Sequence, residues 1–246
     1  MIDLKIPSEY DYQIVEGSVK QTGARRIEGF SKQLSKNVWS ADADQNYTIY
    51  FVIEFNKDIK KFGGWHDHTL WETDTMTAHY PQRFGCYAEF DTTDHPEVMV
   101  RSGISYVDMA GASNNLSNEI TEPFGWNFEA VHKHQSDSWN NILNRVRIYS
   151  NDYREKVRFY TNLYRAFCRN TFSDADRRWV DAAGNIQKLD DPDAVALGCD
   201  AFWNTFWNLN QVWNLIAPEW SSRWVKSQLA MYDANGWLAK GPSGMK

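Results

Sequence analysis

Trp65-His66-Asp67-His68 places two imidazoles and a carboxylate within four residues, donor types that hold zinc and related metals. Neither a third nor a fourth ligand stands at matching spacing, so an ordinary surface loop is the favoured reading of the run. His132 and His134 are two apart on a predicted helix, which points them to different faces and keeps them from sharing a metal. Asp174 and Asp176 flank Ala175 in a turn after a helix and could be read as an acid pair or as metal ligands. Ser and Asp in such turns also satisfy free backbone groups, and that is the role expected of Ser173, Asp174 and Asp176. Cys86, Cys168 and Cys199 are too few and too widely spaced for a disulfide framework or a zinc site. They are expected to be reduced, mostly buried small side chains. Twelve Trp, twelve Tyr and thirteen Phe make 15% of the 246 residues. Aromatic faces stack on the C–H surfaces of sugar rings, but large side chains build a core just as well.

Stepping outward to the elements, the first half has the period of strands. Tyr47, Ile49, Phe51, Ile53 and Phe55 alternate with the residues between them, as in a strand with one face on a core. Cys86–Phe90 and Val98–Val107 are further candidates, the second with a bulge expected at Ser102-Gly103. Phe62-Gly-Gly-Trp-His-Asp67 and Asp91-Thr-Thr-Asp-His-Pro96 read as turns. Short strands at this spacing suggest a sandwich.

The second half has the period of helices. Helices are predicted over Asn127–Asn144, over Arg154–Arg169, over Asp200–Ala217 and over Glu219–Asn235, the last capped by Gly236. Asp200–Ala217 is aromatic on several sides and is expected to be buried. On Glu219–Asn235 the expected inward face is Trp224, Val225, Gln228, Leu229 and Tyr232. Strands followed by helices imply an α+β chain or two domains. The net charge of −6, with basic pairs only at scattered positions, argues against nucleic-acid binding. No stretch approaches the ~20 apolar residues of a transmembrane helix, so no membrane association is expected.

Val157-Arg-Phe-Tyr-Thr-Asn-Leu-Tyr-Arg165 followed by Phe172-Ser-Asp-Ala-Asp176 resembles the "FYT-LYH … FSD-DG" signature of glycoside hydrolase family 92. Phe202-Trp-Asn-Thr-Phe206 with Ile216-Ala-Pro218 is similar to the family's "WDTYR … P" element. Val225–Tyr232 and Gly236-Trp-Leu238 match further on, and Tyr50–Phe55, Val100–Val107, Asn115-Leu116 and Glu119 are similar to its sandwich strands. The resemblance implies a truncated N-terminal β-sandwich over 1–125, then a linker helix and the first helices of an (α/α)6 catalytic barrel over 126–246. It also implies an exo-acting, inverting, calcium-dependent α-mannosidase that trims N-glycans or mannans, periplasmic or secreted. The family's members are much longer, so the chain is expected to be an internal fragment. The catalytic acid, the base and the calcium ligands are expected beyond Lys246.

An inverting glycosidase needs a carboxylic acid on the leaving oxygen and a carboxylate activating water from the opposite face. Without both, residues 1–246 alone are expected to be inactive. The resemblance places Trp203, Asn204 and Trp207 at the sugar pocket. Asn204 and Trp207 stand where the family signature has Asp and Arg, which exchanges a carboxylate for an amide and a cationic fork for a stacking surface. Asp176-Arg177 likewise replaces "DG". These departures leave two alternatives open: a same-family glycosidase acting on a different or modified sugar, and a non-catalytic carbohydrate-binding protein.

Overall fold

A computed structural model describes residues 2–4, 12–35, 45–79, 83–168, 170–198, 205–236 and 238. Tyr12–Gly23 (β2) and Arg26–Ser35 (β3) form a long hairpin, and Gln45–Phe55 (β4) pairs with β3. Thr75–His79 (β7) and Val100–Ser105 (β9) close the two edges, giving the antiparallel order β7-β2-β3-β4-β9. The second sheet has the order β1-β8-β5-β6, from Ile2–Asp3 (β1), Phe84–Phe90 (β8), Ile59–His66 (β5) and Thr69–Glu72 (β6). Val19, Ile27, Phe51, Phe55, Phe62, Met76, Phe84 and Cys86 come from both sheets into one buried cluster. The result is a sandwich, with the odd-numbered face of β4 inward as its alternation predicts. The sheets meet closely enough that a Cβ at Gly17 would stand 2.1 Å from the Phe84 ring.

Two strand-level expectations are corrected. Phe62–His66 is not a turn but the end of β5, because Gly63 and Gly64 admit Tyr87 and Met76 against the backbone. No bulge interrupts β9 at Ser102-Gly103, whose register with β4 is continuous from Val100 to Ser105. Gly103 instead allows a helix to lie on the strand: a Cβ there would stand 2.3 Å from Ala112 O. That helix, Met109–Leu116 (α1), was not anticipated, since its Gly, Ala, Ser and Asn residues carry little periodic signal. Ala112 and Leu116 pack on Val52, covering the outer face of the sheet.

A π-turn (Ser117–Thr121) and the short helix Glu122–Phe124 (α2) lead to Gly125, whose φ of 57° turns the chain. Arg101 of β9 holds this bend. Its guanidinium lies 4.1 Å from the Trp126 ring centroid, donates to Gly125 O and pairs with Glu54. Phe128–Leu143 (α3) starts on an Asn127 cap and Tyr153–Phe167 (α4) on an Asp152 cap, both close to the predicted bounds.

Asn210–Ile216 (α5) and Pro218–Asn235 (α6) complete the helices, and Gly236 caps α6 at φ 76°. Leu163 and Phe167 of α4 bury against Trp213 and Ala217, with Trp220 and Trp224 around them. On α6 the predicted inward face is only partly right. Ser227, Gln228 and Met231 are buried, whereas Val225, Leu229 and Tyr232 are about half exposed. The buried stripe bears Ser227, whose hydroxyl accepts from Leu197 N, and Met231, which packs on Trp179, Leu189, Ala194 and Ala196.

Candidate functional site

Residues 170–198 form a compact module between α4 and the segment that leads to Trp207. Asn170–Thr171 (β10) pairs with Leu197–Gly198 (β13), and Arg178–Val180 (β11) with Ile186–Lys188 (β12). Trp179, Leu189, Ala194 and Ala196 make its own small core, which reaches Met231 of α6. Asp181 organises the β11–β12 turn. It accepts hydrogen bonds from the Ala183 and Asn185 amides and from the Gln187 side chain, which outweigh burial and hold its carboxyl below the usual range.

This module is joined to the exit of the sandwich by buried polar groups. Asp174, 5% exposed, accepts from Ser105 Oγ at 2.8 Å and from Asn115 Nδ2 at 2.9 Å. Ser105 Oγ in turn accepts from Val107 N, and Asn115 also donates to Ile104 O and accepts from Ala175 N. Each polar atom at this crossing is therefore used by strand, helix and loop together. Arg178 adds a second tie. It chelates Asp108, the N-cap of α1, at 2.7 and 3.3 Å, and it bonds Asp176 at 2.6 Å. Asp174 and Asp176 thus satisfy a junction rather than act as an acid pair, in keeping with the structural role expected of them.

The electrostatics follow from these partners. Burial pushes the Asp174 carboxyl above its ordinary range despite the hydrogen bonds from Asn115 and Ser105. Burial, then the charge of Asp174, also raises Glu119, although that residue is largely exposed. Hydrogen bonding to Arg178 holds Asp108 below the usual carboxylate range, and Asp108 with Asp176 raises Arg178. Arg177, where the resembled signature has glycine, adopts φ 71° and donates to Asp190 O. The backbone there keeps the left-handed conformation that glycine adopts without strain.

Of the residues expected at the sugar pocket, Trp203 and Asn204 lie outside the described residues. Trp207 sits on the π-turn Thr205–Leu209 and is 72% exposed beside Phe206, with ring centroids 5.9 Å apart. The expectation of a buried helix is corrected here: Trp213 is fully buried, but Phe206 and Trp207 present an aromatic ledge to solvent. A ledge of this kind can take the apolar face of a sugar ring.

His66 is occupied by Thr77 O at 2.9 Å and by the edge of the Trp71 ring, and exposed His68 lies in the turn that follows. Cys86 is buried, which pushes its thiol up to about 11, whereas Cys168 is exposed. Cys199 lies outside the described residues. Among the described residues no group of three or more His, Cys, Asp or Glu could hold a metal. The Ser105–Asn115–Asp174 crossing escaped detection in the sequence, because its members lie 59 and 69 residues apart.

Two family models match the chain: the glycosyl hydrolase family 92 N-terminal domain over residues 1–105 and the family 92 catalytic domain over residues 111–246. Among solved structures, a family 92 α-mannosidase from Bacteroides thetaiotaomicron, in complex with mannoimidazole, superposes with a TM-score of 0.76 at 22% identity. That match covers 94% of this chain and 30% of the other. A family 92 inverting mannosidase of the same organism gives 0.77 at 21% identity, over 94% and 30% of the two chains. The chain thus spans about 30% of the length of the solved enzymes it matches. No curated protein matches it in sequence. No described helix is long and apolar enough to cross a membrane.

Proposed function

Since the chain belongs to glycosyl hydrolase family 92, we propose that it forms the sandwich and first barrel helices of an exo-acting, inverting α-mannosidase that trims N-glycans or mannans. The observation that carries this reading is the ordered match of both family modules along one chain. The solved relatives in that comparison are mannosidases, one of them holding a mannose-like inhibitor. Trp203, Asn204 and Trp207 contact the sugar, with the exposed Phe206–Trp207 ledge as the stacking surface. The junction carboxylates Asp108, Asp174 and Asp176 are engaged by Arg178, Ser105 and Asn115. The acid, the base and the calcium ligands are assigned to sequence beyond Lys246 because the family resemblance implies it, and on that reading residues 1–246 alone turn nothing over.

The test is to assay the polypeptide encoded by the complete reading frame on α-mannosides and α-glucosides, with and without a calcium chelator. NMR of the first-formed anomer reports the stereochemistry. Release of β-mannose that stops on chelation supports the reading, and release of another sugar alone would replace it. Asn204 and Trp207, standing where the signature has Asp and Arg, specifically favour a second reading: the same fold acting on a different or modified sugar. Binding without turnover of any glycoside would instead identify a carbohydrate-binding protein.

A further inference from the structure

The chain reaches the proposed sugar contacts only through the 170–198 module, and three features restrain where that module sits. Its own core fixes its shape, Ser227 of α6 holds it at Leu197 N, and Asp174 holds it to the sandwich. The third crosses from the helical part of the chain to the exit of the sandwich, where the more exposed Arg178–Asp108 pair runs beside it. Asp174 enters the seam between β9 and α1 so closely that a Cβ on Gly111 would stand 2.1 Å from Oδ2. The seam is therefore shaped around this carboxylate. Both of its oxygens face donors: the Ser105 hydroxyl, whose oxygen is already taken by Val107 N, and the Asn115 amide, whose oxygen is already taken by Ala175 N.

We propose that Asp174 is a positioning residue, a buried carboxylate that registers the 170–198 module, which precedes Trp207 in the chain, against the sandwich through Ser105 and Asn115. The catalytic consequence rests on the mannosidase reading above; the structural consequence does not. An isosteric amide keeps the volume but sets an N–H2 against one of the two donors, so the register loosens although a charge has been removed from the interior. Burial already disfavours the ionised form at this position. Global stability and loop register should therefore separate.

In residues 1–246, Asp174→Asn is expected to leave the melting temperature within about 2 °C of wild type. Amide exchange across 172–198 should accelerate about tenfold, the equivalent of one weakened charge-assisted hydrogen bond. Ser105→Ala should accelerate the same amides, while Arg177→Lys, whose side chain does not reach the seam, should not. In the product of the complete reading frame, Asp174→Asn should raise KM about tenfold while kcat changes less. Unchanged exchange in both Asp174→Asn and Ser105→Ala would overturn the proposal, as would a large fall in melting temperature with exchange faster everywhere. Inactivity of the wild-type product would fault only the mannosidase reading and leave the exchange result to decide on Asp174.

Discussion

Gly111→Ala probes the seam most directly. Gly111 lies in the first turn of α1, where alanine would ordinarily stabilise by about 0.5–1 kcal/mol. Here the new methyl would stand 2.1 Å from Asp174 Oδ2 and 2.7 Å from Ser105 Oγ, against ordinary contacts of 3.4–4 Å. Relief requires a shift of more than 1 Å, enough to break the 2.8 Å bond between Ser105 and Asp174. Losing that charge-assisted bond costs about 1.5–3 kcal/mol, and overpacking costs roughly 1–3 kcal/mol. After the gain in helix propensity, a net destabilisation of about 2–5 kcal/mol is expected. Urea unfolding followed by tryptophan fluorescence, on wild type, Gly111→Ala, Asp174→Ala and the double variant, measures it. With the carboxylate gone only the Ser105 hydroxyl, free to rotate, still crowds the methyl, so the Gly111→Ala cost should fall by more than half in the Asp174→Ala background. A coupling below about 0.5 kcal/mol would show that the two sites do not touch in the way described.

Three further outcomes follow from the same contacts. Gln228 is 6% exposed and its Nε2 has no hydrogen-bond partner among the described residues, so Gln228→Met should raise the melting temperature by about 2–4 °C in differential scanning calorimetry; a fall would mean that the amide is satisfied. Arg177 holds a left-handed φ of 71°, so Arg177→Val should lower stability by about 1–2 kcal/mol whereas Arg177→Gly should be nearly neutral; equal losses would point to the Asp190 contact instead. The two buried-junction carboxylates should titrate in opposite directions. Asp108, held low by Arg178, contributes stability that is present above the ordinary aspartate value of 3.8 and lost as pH falls through its depressed value. Asp174, raised by burial, favours folding most below 3.8 and loses that contribution as pH rises through its elevated value. Carboxyl carbon shifts followed by NMR check the order, and Asp108 titrating above Asp174 would contradict it.

Much of the architecture was legible locally. β4 alternates cleanly because one face meets the other sheet, and α3 and α4 announce themselves by the spacing of their apolar residues. β5 was misread because Gly63-Gly64 normally marks a turn, whereas here Tyr87 and Met76 occupy the space that side chains would fill. The inward face of α6 was misjudged because hydrophobicity alone ranks Leu229 and Tyr232 above Ser227, whereas the buried stripe joins Ser227, bonded by Leu197 N, to Met231.

Taken by itself, the residue order determined the change from strand to helix midway, the Gly236 cap, and the signatures that mark family 92, since all of these are written within a few residues of one another. Only the tertiary structure decided that Asp174 is the buried tie between sandwich and loop, that α1 lies on β4 and β9, and that Trp207 faces solvent. The physical reason is distance along the chain: desolvation and hydrogen bonding act between atoms that folding brings within 3 Å, whatever number of residues separates them.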